Sequence, residues 1–281
     1  MSKKIYIHPG MGKTGTSAIQ KVAFEALFNS NESLEYFPYG LKGDVHNLLS
    51  DNYPSFNKDD FVSNCNKISQ LDHAKSYLIS SEFLCYASDD HIEFLISSIK
   101  SAGFSVEILF VVRAYSNLIH SSYLQALKTG YGLKHGESGD AYYDRNISSV
   151  RLGRSIKRWG NDPDVEITIF NYDSIKNDLI QCFFDYLGVN IDFNSVNAAK
   201  DVNESLLPEF ISLIANFDEV NLNDKNYFER RSIFIGNLLA ISKEAKPYSK
   251  LNVLSKSKSE IACQLYKRDL EEFKVMYKVI E

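Results

Sequence analysis

The chain has 281 residues, of which 44% are apolar and 13% aromatic; this excludes a disordered chain and predicts one large domain, with or without an appendage. Its net charge of −5 excludes the broad basic surface that binds nucleic acid non-specifically, so any anion site must be local. The four cysteines form neither a C-x-x-C pair nor a zinc pattern, which indicates reduced thiols and a cytoplasmic protein.

The first predicted element is a strand over residues 4–8, which begins without the apolar core of a signal peptide. A glycine-rich turn leads from this strand into a helix predicted over residues 16–29. Glycines let the backbone approach a ligand closely, and the amides at the start of a helix lie at its positive end. Lys13 adds a full positive charge. The pattern predicts a phosphate cradle built from Gly12, Lys13, Thr14, Gly15, Thr16 and Ser17.

The spacing of this turn differs from that of the loops that bind nucleoside triphosphates. The pattern Gly-x-x-x-x-Gly-Lys-[Ser/Thr], placed to end on Gly12, Lys13 and Thr14, requires a glycine at position 7. The residue at that position is Ile7. The loop therefore resembles a P-loop but departs from the ATPase form.

Strands and helices alternate in the middle of the chain. Residues 30–60 are rich in Gly, Asn, Asp and Tyr and predict loops, turns and a short helix near residues 46–50, which often shape the mouth of a substrate site. Such alternation predicts a parallel sheet that binds ligands at the carboxyl ends of its strands. The elements predicted next are a strand from residue 75 that ends near Glu82, a helix over 91–102, a strand over 107–113 and a helix over 115–127.

The remainder of the chain becomes increasingly helical. Residues 129–146 contain four glycines and predict a mobile loop or lid, followed by a helix over 147–160 and a strand over 166–171. From residue 206 the pattern is helical, with a last helix predicted over 260–280. We expect an α/β core over residues 1–205 and a helical C-terminal extension over residues 206–281 packed on it. No stretch approaches the ~18 apolar residues of a membrane span, so no transmembrane segment is expected.

Two motifs, in this order, resemble the cofactor-binding elements of sulfotransferases that use 3′-phosphoadenosine 5′-phosphosulfate (PAPS), especially the bacterial and carbohydrate-type branch. Residues 13–17, which follow a first strand, are similar to the loop that binds the 5′-phosphosulfate. The strand that ends at Arg113, with Ser121 eight positions later, is similar to the element that grips the 3′-phosphate. The resemblance covers about residues 3 to 210 and implies a three-layer α/β/α fold of the P-loop-like sulfotransferase type.

The resemblance also implies an activity. It implies an enzyme that transfers the sulfuryl group of PAPS to a hydroxyl of a small-molecule, glycan or glycolipid acceptor and releases 3′-phosphoadenosine 5′-phosphate (PAP). Lys13 would serve the bridging oxygen, residues 14–17 the 5′-phosphate and sulfonyl oxygens, and Arg113 and Ser121 the 3′-phosphate. Sulfuryl transfer requires no metal, and the His, Cys, Asp and Glu residues show no metal-binding spacing.

Other parts of the resemblance are less specific. Ser122 lies one position away from the family spacing and points about 100° away around the helix, so it is the second choice for the role of Ser121. Tyr123 and Gln125 also recur in the family. The segment from Trp159 to Asp173 is similar to a pattern that ends the sheet, with Asp173 in place of the usual Glu. Residues 203–206 look like a patch that faces the cofactor or caps a helix.

A general base must accept the proton of the acceptor hydroxyl during the attack. Glu82 is the first candidate, because it ends a predicted strand where the ligand should lie and the carbohydrate branch often places a catalytic Glu there; it could instead cap the next helix. His46 is the rival, since related enzymes also use a loop histidine whose ordinary pKa suits the task. His8 could contact the ligand or be a structural histidine at a strand end.

Two other functions remain compatible with the cradle. A P-loop kinase or NTPase would bind ATP with Mg²⁺, but the expected Asp at the end of an apolar strand is replaced by Arg113. A non-catalytic nucleotide-binding protein would bind the cofactor without turnover.

Overall fold

The computed structural model describes residues 3–28, 33–71, 75–134, 136–151, 153–191, 206, 209–221, 223–244 and 253–281. The chain divides into two compact units. Unit 1 comprises Met1–Arg113, Leu152–Lys200 and Arg268–Glu281, and unit 2 comprises Ala114–Arg151 and Asp201–Lys267. The predicted boundary at residues 205 and 206 does not coincide with this division, because the chain leaves unit 1 after Arg113 and later returns to it twice.

Unit 1 is built on a six-stranded sheet in the order β2-β3-β1-β4-β5-β6. All neighbouring strands run parallel. Seven of the eight residues of β4 are buried in succession, which is typical of a central strand covered on both faces. The strands are β1 Lys4–His8, β2 Leu34–Tyr36, β3 Ser76–Ser80, β4 Ser105–Val112, β5 Glu166–Asn171 and β6 Lys278–Ile280.

Helices cover both faces of this sheet. Their bounds are α1 Thr16–Leu27, α2 Lys58–Ser69, α3 Asp89–Ser101, α6 Gly153–Trp159, α7 Tyr172–Ile175 and α8 Leu179–Tyr186. On one face, α1 and α8 share an apolar core with Leu109 and Val111 of β4. On the other face, Phe61 of α2 packs between Phe94 of α3 and Phe37, and the Phe37 ring meets Tyr77 of β3 edge to face. The predicted three-layer α/β/α fold with a central parallel sheet is therefore confirmed.

Unit 2 is helical in the residues that the structure describes. Its helices are α4 Tyr115–Thr129, α5 Gly139–Val150, α9 Phe210–Asn221, α10 Tyr227–Glu244 and the first part of α11 Lys256–Met276, which continues into unit 1. The buried Arg231 of α10 joins three of these helices. It donates hydrogen bonds to the Leu127 and Lys128 carbonyls, at the end of α4, and pairs with Asp218 of α9 at 2.9 Å.

The end of the chain differs from the prediction. The helix predicted over residues 260–280 stops at Met276, and residues 278–280 form β6. Thr168, Ile169 and Phe170 of β5 pair with these three residues. Residues 278–280 therefore form a strand despite the helical pattern of the sequence, because they pair with β5 at the edge of the sheet.

Two predicted loop regions contain more regular structure than expected. Within residues 30–60 the structure has β2 and the start of α2, while the short helix predicted near residues 46–50 is a single 3₁₀ turn over Asn47–Leu49. The predicted lid over residues 129–146 already contains α5 from Gly139 onward. The helix predicted over 147–160 is two helices, because α5 ends at Val150 and α6 begins at Gly153.

Candidate active site

The candidate site lies at the carboxyl edge of the sheet of unit 1. β1 has β3 on one side and β4 on the other, and the connection from β3 to β4 crosses over β1. Such a reversal of strand order opens a crevice at the carboxyl ends, where ligands bind in open parallel sheets. The segments that leave these ends carry Lys13, Glu82 and Arg113. The topology thus brings three of the predicted site residues to one edge.

The turn after β1 has a backbone suited to anions. Gly15 is the residue before α1 and has φ of 83°, in the left-handed region. Lys13 has φ of 70° and is the one non-glycine residue with positive φ in the described parts of the chain. Backbone handedness therefore alternates through Lys13, Thr14 and Gly15, an arrangement in which successive amides form an anion-binding concavity. The start of α1 adds its positive end.

The hydroxyl groups of the turn divide into two kinds. Thr14 and Thr16 are buried, and both donate to the Met11 carbonyl, at 2.6 Å and 3.0 Å. Ser17, in the first turn of α1, is exposed. The threonine hydroxyls therefore stabilise the turn, whereas the backbone amides and the Ser17 hydroxyl are the groups suited to an anion.

Two glycines of the turn are required by its packing. A methyl group on Gly10 would lie 2.2 Å from Cγ2 of Thr16, and one on Gly15 would lie 2.3 Å from Cδ2 of Leu179. Gly12 has more space, because the nearest atom to such a methyl group is Oε2 of Glu82 at 3.9 Å. The carboxylate of Glu82 thus lies over the turn at Gly12.

We expect Gly15→Ala to lower the free energy of unfolding by about 2 kcal/mol or more. An alanine there would have a left-handed backbone conformation, and its methyl group would overlap Leu179. Denaturant unfolding followed by the fluorescence of Trp159, the single tryptophan and a buried residue of unit 1, measures this. Gly153→Ala is the control, since a methyl group there makes ordinary contacts with Phe273 at 3.8 Å. Equal stability of the two variants would contradict the packing argument.

Glu82 begins a 3₁₀ turn over Glu82–Tyr86, directly after β3. The preceding residue is tied to the end of β1, because the Ser81 amide donates to the His8 carbonyl and the Gly10 amide donates to the Ser81 carbonyl, both at 3.1 Å. Burial raises the pKa of the half-buried Glu82 carboxyl, and the positive charge of Lys13 opposes this rise. The structure therefore places a carboxylate of raised pKa beside the predicted phosphate-binding lysine.

His46 has a structural role, and its prediction as a rival base is corrected. The imidazole is fully buried, and both of its nitrogens bind main-chain groups. Nε2 donates to the Phe37 carbonyl at 2.8 Å, and Nδ1 accepts from the Ser80 amide at 3.1 Å. The His46 amide also donates to the Ser80 carbonyl. His46 thus forms hydrogen bonds with the amide and the carbonyl of Ser80. A neighbouring strand would do the same, but β2 ends before this point.

The burial of His46 also opposes protonation. Desolvation lowers the pKa of the imidazole to about 4, and no nitrogen remains to accept a substrate proton. His8 is likewise fully buried, with Nδ1 2.8 Å from Oγ of Ser80 and its ring against Phe183, and desolvation lowers its pKa to about 3. Nε2 of His8 has no hydrogen-bond partner among the described residues. Both histidines are therefore buried residues at the carboxyl edge of the sheet.

Arg113 reaches the phosphate turn itself. It follows β4 directly, and its Nη1 donates to the Lys13 carbonyl at 2.7 Å. Its guanidinium lies over the ring of Tyr172, with Cζ 4.9 Å from the ring centroid. The sequence pattern included Tyr172 only as part of a family match; its position directly after an apolar strand, like that of Arg113, was the available signal.

The remaining predicted residues belong to unit 2. Ser121 and Ser122 are half-buried positions of α4 in unit 2. Tyr123 is a packing residue of that unit, since its hydroxyl donates to the Glu137 carbonyl at 3.0 Å and its ring meets Tyr142 edge to face. Of the patch predicted over residues 203–206, residues 203–205 lie outside the described residues.

The described residues contain no group of three or more His, Cys, Asp or Glu side chains that could hold a metal ion. None of the helices in the described part of the chain is long and apolar enough to cross a membrane.

Comparisons with known proteins give similar solved structures, two of which are described here. No protein-family model matches the sequence, and no curated protein is significantly similar to it. The crystal structure of a sulfotransferase from Alicyclobacillus acidocaldarius is similar over 85% of this chain and 96% of that chain, with 14% identity and a TM-score of 0.41. The sulfotransferase domain from the curacin biosynthetic pathway is similar over 100% and 99%, with 13% identity and a TM-score of 0.42. At this identity and TM-score, neither similarity identifies the function of this chain. The proposal below therefore rests on the residues of the site.

Proposed function

We propose that this chain is a sulfotransferase that transfers the sulfuryl group of PAPS to a hydroxyl of a glycan or glycolipid acceptor and releases PAP. One observation carries the proposal. A carboxylate of raised pKa, a lysine and a helix N-terminus with left-handed turn residues meet at the carboxyl edge of a parallel sheet. This set combines a proton acceptor with an anion site, as transfer from a phosphosulfate to a hydroxyl requires.

The residues of the turn fit a phosphosulfate group. The amides of residues 14–17 and the Ser17 hydroxyl would hold the 5′-phosphate and sulfonyl oxygens, at the positive end of α1. Arg113, one N–H group of which contacts Lys13, would bind the 3′-phosphate through its guanidinium. Ser121 keeps its role at that phosphate on the basis of the family resemblance alone.

Glu82 and Lys13 would divide the chemistry between them. The Glu82 carboxylate accepts the proton of the acceptor hydroxyl while the acceptor oxygen forms a bond to sulfur. The bond between sulfur and the bridging oxygen breaks, and its electrons remain on the phosphate of PAP. Lys13 and the amides of the turn stabilise the charge that develops on this oxygen. The step consumes one hydroxyl and one phosphosulfate and yields one sulfate ester, one PAP and one proton.

Calorimetric titration with PAP tests the proposal directly. We expect micromolar binding of PAP, and no comparable binding of ATP with Mg²⁺ or of adenosine 5′-phosphosulfate, because those two ligands lack the 3′-phosphate that Arg113 would bind. Binding of ATP with Mg²⁺ alone would contradict the proposal and favour a kinase. Binding of PAP without turnover of any acceptor would favour a non-catalytic nucleotide-binding protein.

The pH dependence of turnover follows from Glu82. The base must be ionised, so we expect turnover to be low in acid and to rise as pH passes through the raised pKa of this carboxyl. The folded state holds this proton more tightly than the unfolded state, so this carboxyl makes stability fall over the same pH interval. Above that interval, Glu82→Gln should unfold at a higher denaturant concentration than the wild type. A wild-type turnover profile without this limb would exclude Glu82 as the base.

The cysteines support a proposal about location. Cys65, Cys85, Cys182 and Cys263 are free thiols in the structure. Thiols persist in reducing compartments, which is consistent with our proposal of a cytoplasmic protein. Cell fractionation would test it, and recovery of the protein outside the cytoplasm would contradict it.

A further inference from the structure

Lys13 has a left-handed backbone conformation, which a residue with a Cβ atom disfavours. A side-chain-bearing residue at φ of 70° brings Cβ close to the following carbonyl oxygen, whereas glycine has no such penalty. A residue in this region persists only when the surrounding structure holds it there. The contacts made by the Lys13 main chain therefore identify what maintains the anion-binding turn.

One such contact is made by Arg113. Its Nη1 donates to the Lys13 carbonyl at 2.7 Å, across the crevice between β1 and β4. Arg113 follows a strand that is buried along almost its whole length, so its backbone is a rigid anchor. One of its five N–H groups thus fixes the orientation of the peptide that follows Lys13.

Tyr172 supports this arginine. Val112 and Asn171 are paired in the register of β4 and β5, so Arg113 and Tyr172 leave neighbouring strands side by side. The Arg113 guanidinium lies over the Tyr172 ring at 4.9 Å, a distance typical of a cation–π contact. The same ring borders the turn, because a methyl group on Gly15 would lie 3.5 Å from its Cε2.

We infer that Arg113 and Tyr172 are positioning residues that hold Lys13 in its left-handed conformation, so that the anion site is formed before a ligand arrives. The inference rests on the proposed function for the identity of the anion. It assigns Arg113 a role in addition to that of a 3′-phosphate ligand, and it assigns Tyr172 a role through the arginine. Without these two residues, a side-chain-bearing residue 13 relaxes to negative φ and the amides of the turn diverge.

A double-mutant cycle without ligand tests the inference. Arg113→Met is combined with Lys13→Ala and with Lys13→Gly, which both lack the amine and differ in their preference for positive φ. When Arg113 is removed, an alanine at position 13 can relax and recover its strain, whereas glycine has no strain to recover. We expect Arg113→Met to raise the unfolding equilibrium constant about 5-fold less in the Lys13→Ala background, as followed by Trp159 fluorescence. Equal effects in both backgrounds would overturn the inference.

PAP affinity provides the second cycle. Loss of a direct phosphate contact is the same in both backgrounds and cancels, but only the Lys13→Ala protein loses its preformed turn. We therefore expect Arg113→Met to weaken PAP binding about 5-fold more in that background. Tyr172→Leu should produce the same difference while leaving Arg113 in place, and Tyr172→Phe, which keeps the ring, should not.

The two cycles separate the inference from the proposed function. If wild-type protein fails to bind PAP but the ligand-free cycle shows the expected coupling, the proposed function is wrong and the positioning role stands. If wild-type protein binds PAP and neither cycle shows coupling, the positioning role is wrong and the proposed function stands. Should Arg113→Met not fold, Tyr172→Leu in the same two backgrounds decides the question.

Discussion

Glu82→Gln should lower turnover by about 1,000-fold and leave PAP affinity unchanged. The substitution keeps the size of the side chain and removes the group that accepts the proton, and general-base catalysis contributes about 10²–10⁴-fold to enzyme rates. No acceptor hydroxyl loses a proton when PAP binds, so PAP binding does not depend on the base. Turnover is measured as PAP release with a glycan acceptor, and affinity by calorimetry.

The control for Glu82→Gln is Glu93→Gln, an exposed glutamate of α3 in the same unit. It makes the same chemical change outside the crevice and should retain wild-type turnover. Normal turnover of Glu82→Gln would remove Glu82 from the mechanism. Since both nitrogens of His46 are occupied by main-chain groups, the base would then have to come from the acceptor side or from solvent.

Lys13→Ala and Lys13→Gly should both lower turnover by at least 100-fold but differ in stability. The turnover loss follows from removing a cation beside the leaving oxygen, where one donor is typically worth about 10²–10³ in rate. The glycine variant should have the higher free energy of unfolding, by about 1 kcal/mol, because it adopts φ of 70° without strain. The two variants thus separate the catalytic role of the Lys13 amine from the conformational strain of its backbone.

The comparison is made on purified variants by PAP release and by denaturant unfolding. If alanine and glycine at position 13 gave equal stability, the left-handed conformation would not be maintained in solution. If turnover survived in both variants, the charge on the leaving oxygen would be stabilised by the amides of the turn alone. Either result would require a different account of why a lysine occupies this position.

The central strands were predictable from the sequence, whereas the edges of the sheet were not. β1, β3, β4 and β5 have five to eight residues, most of their inner positions are apolar, and the sequence predicts each of them. β2 and β6 have three residues each, too few for a period to appear. They are strands because a neighbouring strand offers hydrogen bonds, which is a property of the fold rather than of the segment.

One missed element carried a readable signal. α2 has Asn57 before it, whose side chain accepts hydrogen bonds from the amides of Asp59 and Asp60, and its buried positions Phe61, Cys65 and Ile68 recur at helical spacing. A capping residue followed by acidic residues is a helix start signal. The helix begins inside residues 30–60, whose polar composition is typical of loops and hides this signal.

The site shows the same division between local and distant information. The glycines, Lys13 and the strand end at Glu82 are local patterns, and the sequence indicates them. The role of His46 depends on Phe37 and Ser80, and that of Tyr172 depends on the pairing of β4 with β5. A histidine in a loop and a tyrosine after a strand have many possible partners, and the sequence does not reveal which ones the fold brings together.

The pairing of β5 with β6 bears on how the protein is made. Thr168 pairs with Lys278, so the outer edge of β5 stays open during synthesis until residues 278–280 have left the ribosome. An open strand edge can pair with another nascent chain, and such edges promote aggregation. Nascent chains stalled before residue 278 should therefore be the aggregation-prone species, and a chaperone that covers strand edges would act on them at this stage.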